Sequence, residues 1–148
     1  MERIKSEAEF GMIDWWKKVF IENYANFEGR ARRSEYWYYV LANFLISIGL
    51  WIVAILAALI LGVAGGILMY ILIIGWGVAN IIPSLAAQVR RLHDTNKTGW
   101  MILLGFIPVI GGIILLVFYF TEGDSGDNQY GPDPKAPNHS TINEIGSN

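Results

Sequence analysis

Residues 36–89 contain no Asp, Glu, Lys or Arg, and residues 98–121 contain none either. A soluble domain does not keep stretches of that length free of charge, because part of them would have to face water. A bilayer core of about 30 Å needs about 20 apolar residues of helix. The first stretch is long enough for two such helices and the second for one. Candidate spans fall at 38–61, 66–89 and 101–119. Gly62, Gly65 and Gly66 interrupt the first stretch and suit a tight reversal, since glycine takes positive φ freely. The third candidate carries Pro108, Gly111 and Gly112, which predicts a kink or irregular turn. The expected fold is all-α and integral to the membrane: a helical hairpin plus a third transmembrane helix, preceded by an amphipathic interfacial helix.

The charges outside these stretches orient the chain. Arg30, Arg32 and Arg33 precede the first span, and Arg90, Arg91 and Lys97 lie between the second and third. The positive-inside rule puts both groups in the cytoplasm. Three crossings then leave the tail outside, where Lys135 stands against Glu122, Asp124, Asp127, Asp133 and Glu144. The expected organisation is a cytoplasmic segment over 1–35, a transmembrane domain over 36–121 and an acidic, mostly disordered tail over 122–148. A re-entrant second run is the alternative, with both termini inside. The mixed charge before the first apolar run does not read as a cleavable signal, so the first span is expected to direct its own insertion. Within 13–27, Ile13, Trp16, Phe20, Tyr24 and Phe27 recur at helical spacing. This amphipathic helix is expected either at headgroup level or packed on the cytoplasmic ends of the spans.

Two polar segments leave the membrane on the same predicted face. One runs from Phe27 to Trp37; the other is the loop from Arg90 to Trp100. Arg30, Arg32, Arg33, Arg90, Arg91 and Lys97 are the candidate contacts for an anionic lipid headgroup or a partner protein. Glu35, His93, Asp94, Thr98 and Trp100 are the candidates for organising the loop. Asp94 suits an Asx turn and Thr98 an N-cap. The simpler alternative is a juxtamembrane salt-bridge cluster that fixes loop shape and topology. His93 and Asp94 alone do not make a catalytic site, and a metal site needs more ligands than His93 and His139 supply. The chain has no cysteine, which removes thiol chemistry. Gly123-Asp124-Ser125-Gly126 resembles a serine-protease nucleophile segment only by coincidence, because no histidine is placed to serve Ser125. No catalytic residue, metal or cofactor is expected.

Inside the apolar stretches the polar residues are neutral. Asn80, Ser84 and Gln88 share one face of the second span, and Asn43 and Ser47 lie on a facing stripe of the first. Interhelical hydrogen bonding is the plain expectation; a polar cleft open to the cytoplasm is the sharper one. A proton or ion pump normally buries an ionisable group in the bilayer, and these stretches have none. Ala54, Ala58 and Gly62 form a small-residue stripe suited to helix packing within the chain or between copies.

The run from Gly29 to Trp37, the run from Arg90 to Trp100, the segment Ile107-Pro108-Val109-Ile110-Gly111 and the tail from Gly126 to Pro134 occur in this order. They resemble the bacterial membrane family known as domain of unknown function 805. The resemblance covers about 15–134 and implies a small inner-membrane protein of unassigned activity. The expected function is that of a non-enzymatic accessory protein with a cytoplasmic Arg/His/Asp platform for anionic lipid or a partner protein, which could be a second copy. An oligomeric channel or carrier is the runner-up, and a membrane enzyme stands third. Nucleic acid is not an expected partner.

Overall fold

The computed structural model describes residues 7–136. His139 and the expected disorder of 137–148 lie outside the described residues. The chain forms two compact units. Among the described residues, one comprises 7–26 together with Ser34–Ala86; the other comprises Phe27–Arg33 together with 87–136.

In the first unit, helix α1 (Met12–Lys17) opens with the Asp14 carboxylate accepting from the Gly11 backbone N–H at 3.0 Å. It continues into a π-helical turn over Lys18–Glu22, closed by the Asn23 N–H on the Lys18 carbonyl. Helix α2 runs Arg33–Asp94, interrupted at Gly62, where φ is 65° and ψ −150°. Only glycine occupies that region without strain, so the reversal sits there. The two arms, 33–61 and 63–94, are antiparallel. Tyr39 joins them through its hydroxyl, 3.1 Å from Asn80 Oδ1 and 3.2 Å from Ser84 Oγ. Close packing beside the reversal depends on small residues. A Cβ on Gly65 would stand 2.5 Å from the Ala57 carbonyl oxygen, and one on Gly66 would touch Ala58.

The apolar side chains of the arms point outward. None of the most apolar stretch of α2 is buried, and Leu59, Ile60 and Val63 are each more than three-quarters exposed. Lipid is the solvent that such a surface requires. Pro83, inside the second arm, has no N–H to give the Ala79 carbonyl; the Tyr24 hydroxyl donates to that carbonyl instead, at 2.8 Å. A carbonyl freed by proline is thus satisfied by a side chain, as a low-dielectric environment demands. The π turn helps aim this face of α1 at the second arm. Trp16 stacks on Phe20, and Phe20 lies 5.5 Å from Trp76. Ile13 points away and is exposed.

The second unit includes the end of the second arm. Asn96 takes φ 55°, the Lys97 N–H returns to the Leu92 carbonyl and the Asn96 N–H to that of His93. This is the double closure of a left-handed helix cap. A 3-10 helix follows over Gly99–Phe106, started by the Thr98 hydroxyl, which accepts from the Trp100 N–H at 3.4 Å. Helix α3 covers Ile110–Phe120.

Residues 101–119 are therefore not one spanning helix, and the third-span expectation is corrected here. Between the two helical pieces, Val109 has φ 64° and ψ −63°, and the Ile110 N–H bonds the Pro108 carbonyl at 2.7 Å. That is the rarer, strained γ-turn, which reverses the chain. A Cβ on Gly111 would collide with the Leu104 carbonyl, so glycine lets the two pieces touch. Pro108 and the glycines do not kink a helix; they close a hairpin. The tail does not leave on an opposite face either, since the Asp124 N–H bonds the Asp94 carbonyl at 2.8 Å. No bilayer can separate groups at hydrogen-bond distance.

Candidate functional site

The second unit is organised around one carboxylate. Asp94 is buried at the end of the second arm and receives a guanidinium on each oxygen. Arg30 Nε donates to Oδ1 at 3.0 Å, and Arg91 Nη1 donates to Oδ2. The side chains of Arg30 and Arg91 are 1% and 0% exposed. Their remaining donors reach backbone carbonyls. Arg30 Nη1 donates to Gly126 at 2.6 Å and Gly131 at 3.4 Å, while Nη2 donates to Asp124 at 2.5 Å and to Asp94 at 3.5 Å. Arg91 Nε donates to Tyr119 at 3.2 Å, Nη1 also to Ala31 at 3.4 Å, and Nη2 to Thr121. Burial pushes the Asp94 carboxyl up from its ordinary value while Arg91 and Arg30 pull it down. Burial likewise lowers the Arg91 guanidinium against the pull of Asp94. Charge-assisted bonds on both carboxylate oxygens tie the three groups together.

The segment 121–133 is ordered by this node, so the expectation of a mostly disordered tail over 122–148 fails for its first part. Carbonyls that composition would assign to a flexible segment accept from buried arginines. The tail also bonds itself. Asn128 and Gly131 exchange backbone hydrogen bonds, the Asn128 side chain caps the Tyr130 N–H at 2.9 Å, and Asp133 accepts from the Gly126 N–H at 3.0 Å. Gly123 passes so close to Asp94 that a Cβ there would collide with the carboxylate.

His93 stands beside the node. Its ring stacks on Tyr130 with centroids 3.9 Å apart and 2° between planes, and Nδ1 lies 3.1 Å from the Gly29 carbonyl. A carbonyl only accepts, so Nδ1 carries the hydrogen and Nε2 is the free nitrogen of the neutral ring. Burial lowers the His93 pKa from its ordinary value, and the Gly29 bond opposes this. The Asn128 side chain donates to the His93 carbonyl at 2.9 Å. Gly99 leaves room for Val89 and His93: a Cβ there would stand 2.7 Å from Val89 Cγ1.

The sequence-predicted residues divide into several groups. Arg30, Arg91, Asp94 and His93 meet. Arg30 and Arg91 do so as internal staples, which corrects their assignment as anion or lipid contacts, because their donors are directed into the chain. Arg90 is buried too, and its carbonyl receives the Ala31 N–H at 3.0 Å. Arg33 stays more open and pairs with Glu122 at 2.7 Å. Lys97 donates to the Thr95 carbonyl and lies over the Phe118 ring. Arg32 is half-buried, and Trp100 is exposed. Glu35 belongs to the first unit, fully buried and 3.1 Å from the Lys18 ammonium.

The neutral polar face also divides. Asn80 and Ser84 meet Tyr39, while Asn43 Nδ2 donates to the Tyr39 carbonyl at 3.1 Å. Ser47 joins none of them by a hydrogen bond among the described residues. Gln88 accepts instead from the Tyr119 hydroxyl at 3.0 Å, inside the second unit. The residues that sequence reasoning missed are Tyr24, Tyr119, Gly123, Asn128 and Tyr130. The last two had a usable signal in the family-like tail run, where an Asx-turn former stands two residues before an aromatic.

The family model described as "Protein of unknown function (DUF805)" matches residues 24–132. The chain is 42% identical over 123 residues to inner membrane protein YhaI of Escherichia coli K12, covering 83% of this chain and 97% of that one. It is 41% identical to inner membrane protein YhaH of the same strain, covering 83% and 98%. It is 26% identical to the uncharacterized protein YiiR, covering 80% and 92%. No solved structure matches it. The kinship with inner membrane proteins and the outward-facing apolar hairpin together support an inner-membrane location. The matched range holds both arms of the hairpin, the Arg30–Asp94–Arg91 node and the ordered tail, and the chain belongs to the DUF805 family.

Proposed function

We propose that this chain is a non-enzymatic accessory protein of the bacterial inner membrane. In this reading the α2 hairpin crosses the bilayer twice, α1 lies at headgroup level, and the second unit is a cytoplasmic platform that receives a partner protein. Its sidedness follows from the arginines and Lys97 gathered at the two ends of the hairpin. The tail, bonded to Asp94, belongs to the same compartment.

The observation that carries this reading is the direction of the Arg30 and Arg91 donors. An anion pocket keeps guanidinium forks open to solvent; these forks hold a tail in place. That is the work of a scaffold, and it favours a protein partner over a lipid headgroup. What the platform offers to solvent is a set of exposed carboxylates, Glu122, Asp124 and Asp127, so basic side chains suit the partner. His93 supports the non-enzymatic reading, because its Nδ1 is engaged by Gly29 and its ring face by Tyr130. In the hairpin, Tyr39, Asn80 and Ser84 satisfy one another, which weakens the carrier alternative.

The test is a photo-crosslinking side chain at Asp127 in living cells. A discrete protein adduct that disappears with Asp124→Lys is expected, while binding of the purified protein to anionic vesicles stays unchanged in Arg33→Ala with Lys97→Ala. Crosslinks to lipid alone, or vesicle binding lost in that double variant, would overturn the partner reading in favour of lipid.

A further inference from the structure

Residues 98–121 hold no charge, yet both ends of this stretch return to one place. At its start, Gly99 lies against Val89 and His93. At its end, Arg91 binds the carbonyls of Tyr119 and Thr121. Between them stand an eight-residue 3-10 helix and the eleven residues of α3. At rises of about 2.0 and 1.5 Å per residue each piece is about 16 Å long. That is half of a bilayer core of about 30 Å. Neither piece can cross, and both reach the same depth.

The turn between them is suited to hydrocarbon. Three of its backbone donors are satisfied locally: Ile107 on Leu104, Ile110 on Pro108 and Gly111 on Ile107, while Pro108 has no donor to satisfy. Backbone polar groups at membrane depth need partners within the protein, and these three have them. The side chains of the turn are apolar and uncovered, with Phe106 85% and Val109 77% exposed. Water would make this the least favourable surface of the unit.

We infer that residues 99–120 form a re-entrant membrane hairpin whose tip, Phe106 to Val109, is embedded in the acyl chains of the leaflet on the platform's side. The partner of this surface is lipid. The hairpin gives the platform a non-crossing attachment of its own. The inference rests on the reading above only for which leaflet is entered.

The chain has no cysteine, so single cysteines in the full-length protein report directly. Thr98→Cys and Ser125→Cys are expected to react with an impermeant maleimide from one and the same side of the membrane. Phe106→Cys is expected to lose reaction from both sides and to regain it in detergent. A spin label on Phe106→Cys in liposomes of mixed neutral and anionic phospholipid is expected to collide with dissolved oxygen and not with a water-soluble relaxant. Val109→Cys repeats the measurement if Phe106→Cys does not accumulate. Reaction of Thr98→Cys and Ser125→Cys from opposite sides would overturn the hairpin. A tip label that meets the water-soluble relaxant, or meets neither reagent because protein covers it, would overturn lipid as its partner. Reaction of both flanks from the periplasm with a protected tip would sustain the hairpin and refute only the cytoplasmic sidedness.

Discussion

The hairpin arms and the tail node answer the same membrane in opposite ways. Along α2 the apolar side chains face outward, and inside lie a few neutral bonds such as Tyr39 to Asn80 and Ser84. In the second unit charged groups form the interior, with Arg30 and Arg91 side chains covered and bonded to the Asp94 carboxylate and to main-chain carbonyls. In the proposed arrangement the arms draw their apolar environment from lipid and need little internal glue; an interhelical hydrogen bond contributes about 0.6 kcal/mol. The tail has few apolar residues to bury, so guanidinium donors take over the organising role. An ionic core of this kind is worth little against a hydrophobic one of the same shape, but losing one member is costly. Damage should therefore be graded: severe at the node and mild in the arms.

The largest expected effect is at Asp94. Asp94→Ala leaves two buried guanidiniums without their carboxylate, a loss of about 3–5 kcal/mol. The tail should become protease-sensitive after Thr121 while the hairpin stays inserted. Unchanged protection of the tail would show that the node is not its organiser. Gly123→Ala comes next. Its methyl meets the Asp94 carboxylate, and overpacking of this sort costs about 1–3 kcal/mol. The same cleavage assay should register partial release, and Gly112→Ala, whose Cβ meets nothing, should register none.

The same contrast decides what could be read from the sequence. The hairpin was legible because a charge-free stretch with glycines at its middle has few other solutions. Residues 98–121 look identical to a hydropathy argument whether they cross or return. Only Pro108, the strained Val109 and the contact between Gly111 and Leu104 separate the two outcomes, and those are geometric facts. The node was half legible. Its arginines and Asp94 stand out in the chain, but charge counting reads them as topology signals or anion contacts, since a sequence does not reveal which carbonyls will lie opposite. The tail's glycines, prolines and asparagines suggest disorder for the same reason. Its acceptors are main-chain atoms, which composition does not record.

Within the arms, the sharpest test is the carbonyl that Pro83 leaves open. Tyr24→Phe removes its donor and should cost about 1 kcal/mol, the usual value of a hydrogen bond whose loss leaves a covered acceptor. In a Pro83→Ala background the Ala79 carbonyl regains a helical N–H, and the same Tyr24→Phe change should cost much less. The measurement is a double-mutant cycle on thermal unfolding in detergent. Equal costs in both backgrounds would mean that Tyr24 acts by packing and not by closing the gap that proline makes.

The smallest effect expected is a pH dependence of the tail through His93. Burial holds its pKa below the ordinary value near 6.5, so the folded ring binds its proton less readily than the unfolded one. Its contribution is complete above about pH 6.5 and declines as pH falls toward the folded value. Protonation would keep the Nδ1 donor to Gly29 and place a charge in a partly covered stack on Tyr130, so loosening should be modest and confined to the tail. Glu122 and Asp133 do not interfere in this range. Lys135 and Arg33 hold Glu122 below its ordinary pKa, and backbone donors from Lys135 and Gly126 do so for Asp133. Hydrogen exchange over 122–131 should accelerate as pH is lowered from 7.5 to 5.5, after correction for intrinsic rates, and His93→Gln should flatten that slope. Residues 38–61 contain no Asp, Glu, His, Lys or Arg to respond, so their exchange should not change over this interval. A matching acceleration within 38–61 would assign the effect to the whole molecule and remove His93 as its cause.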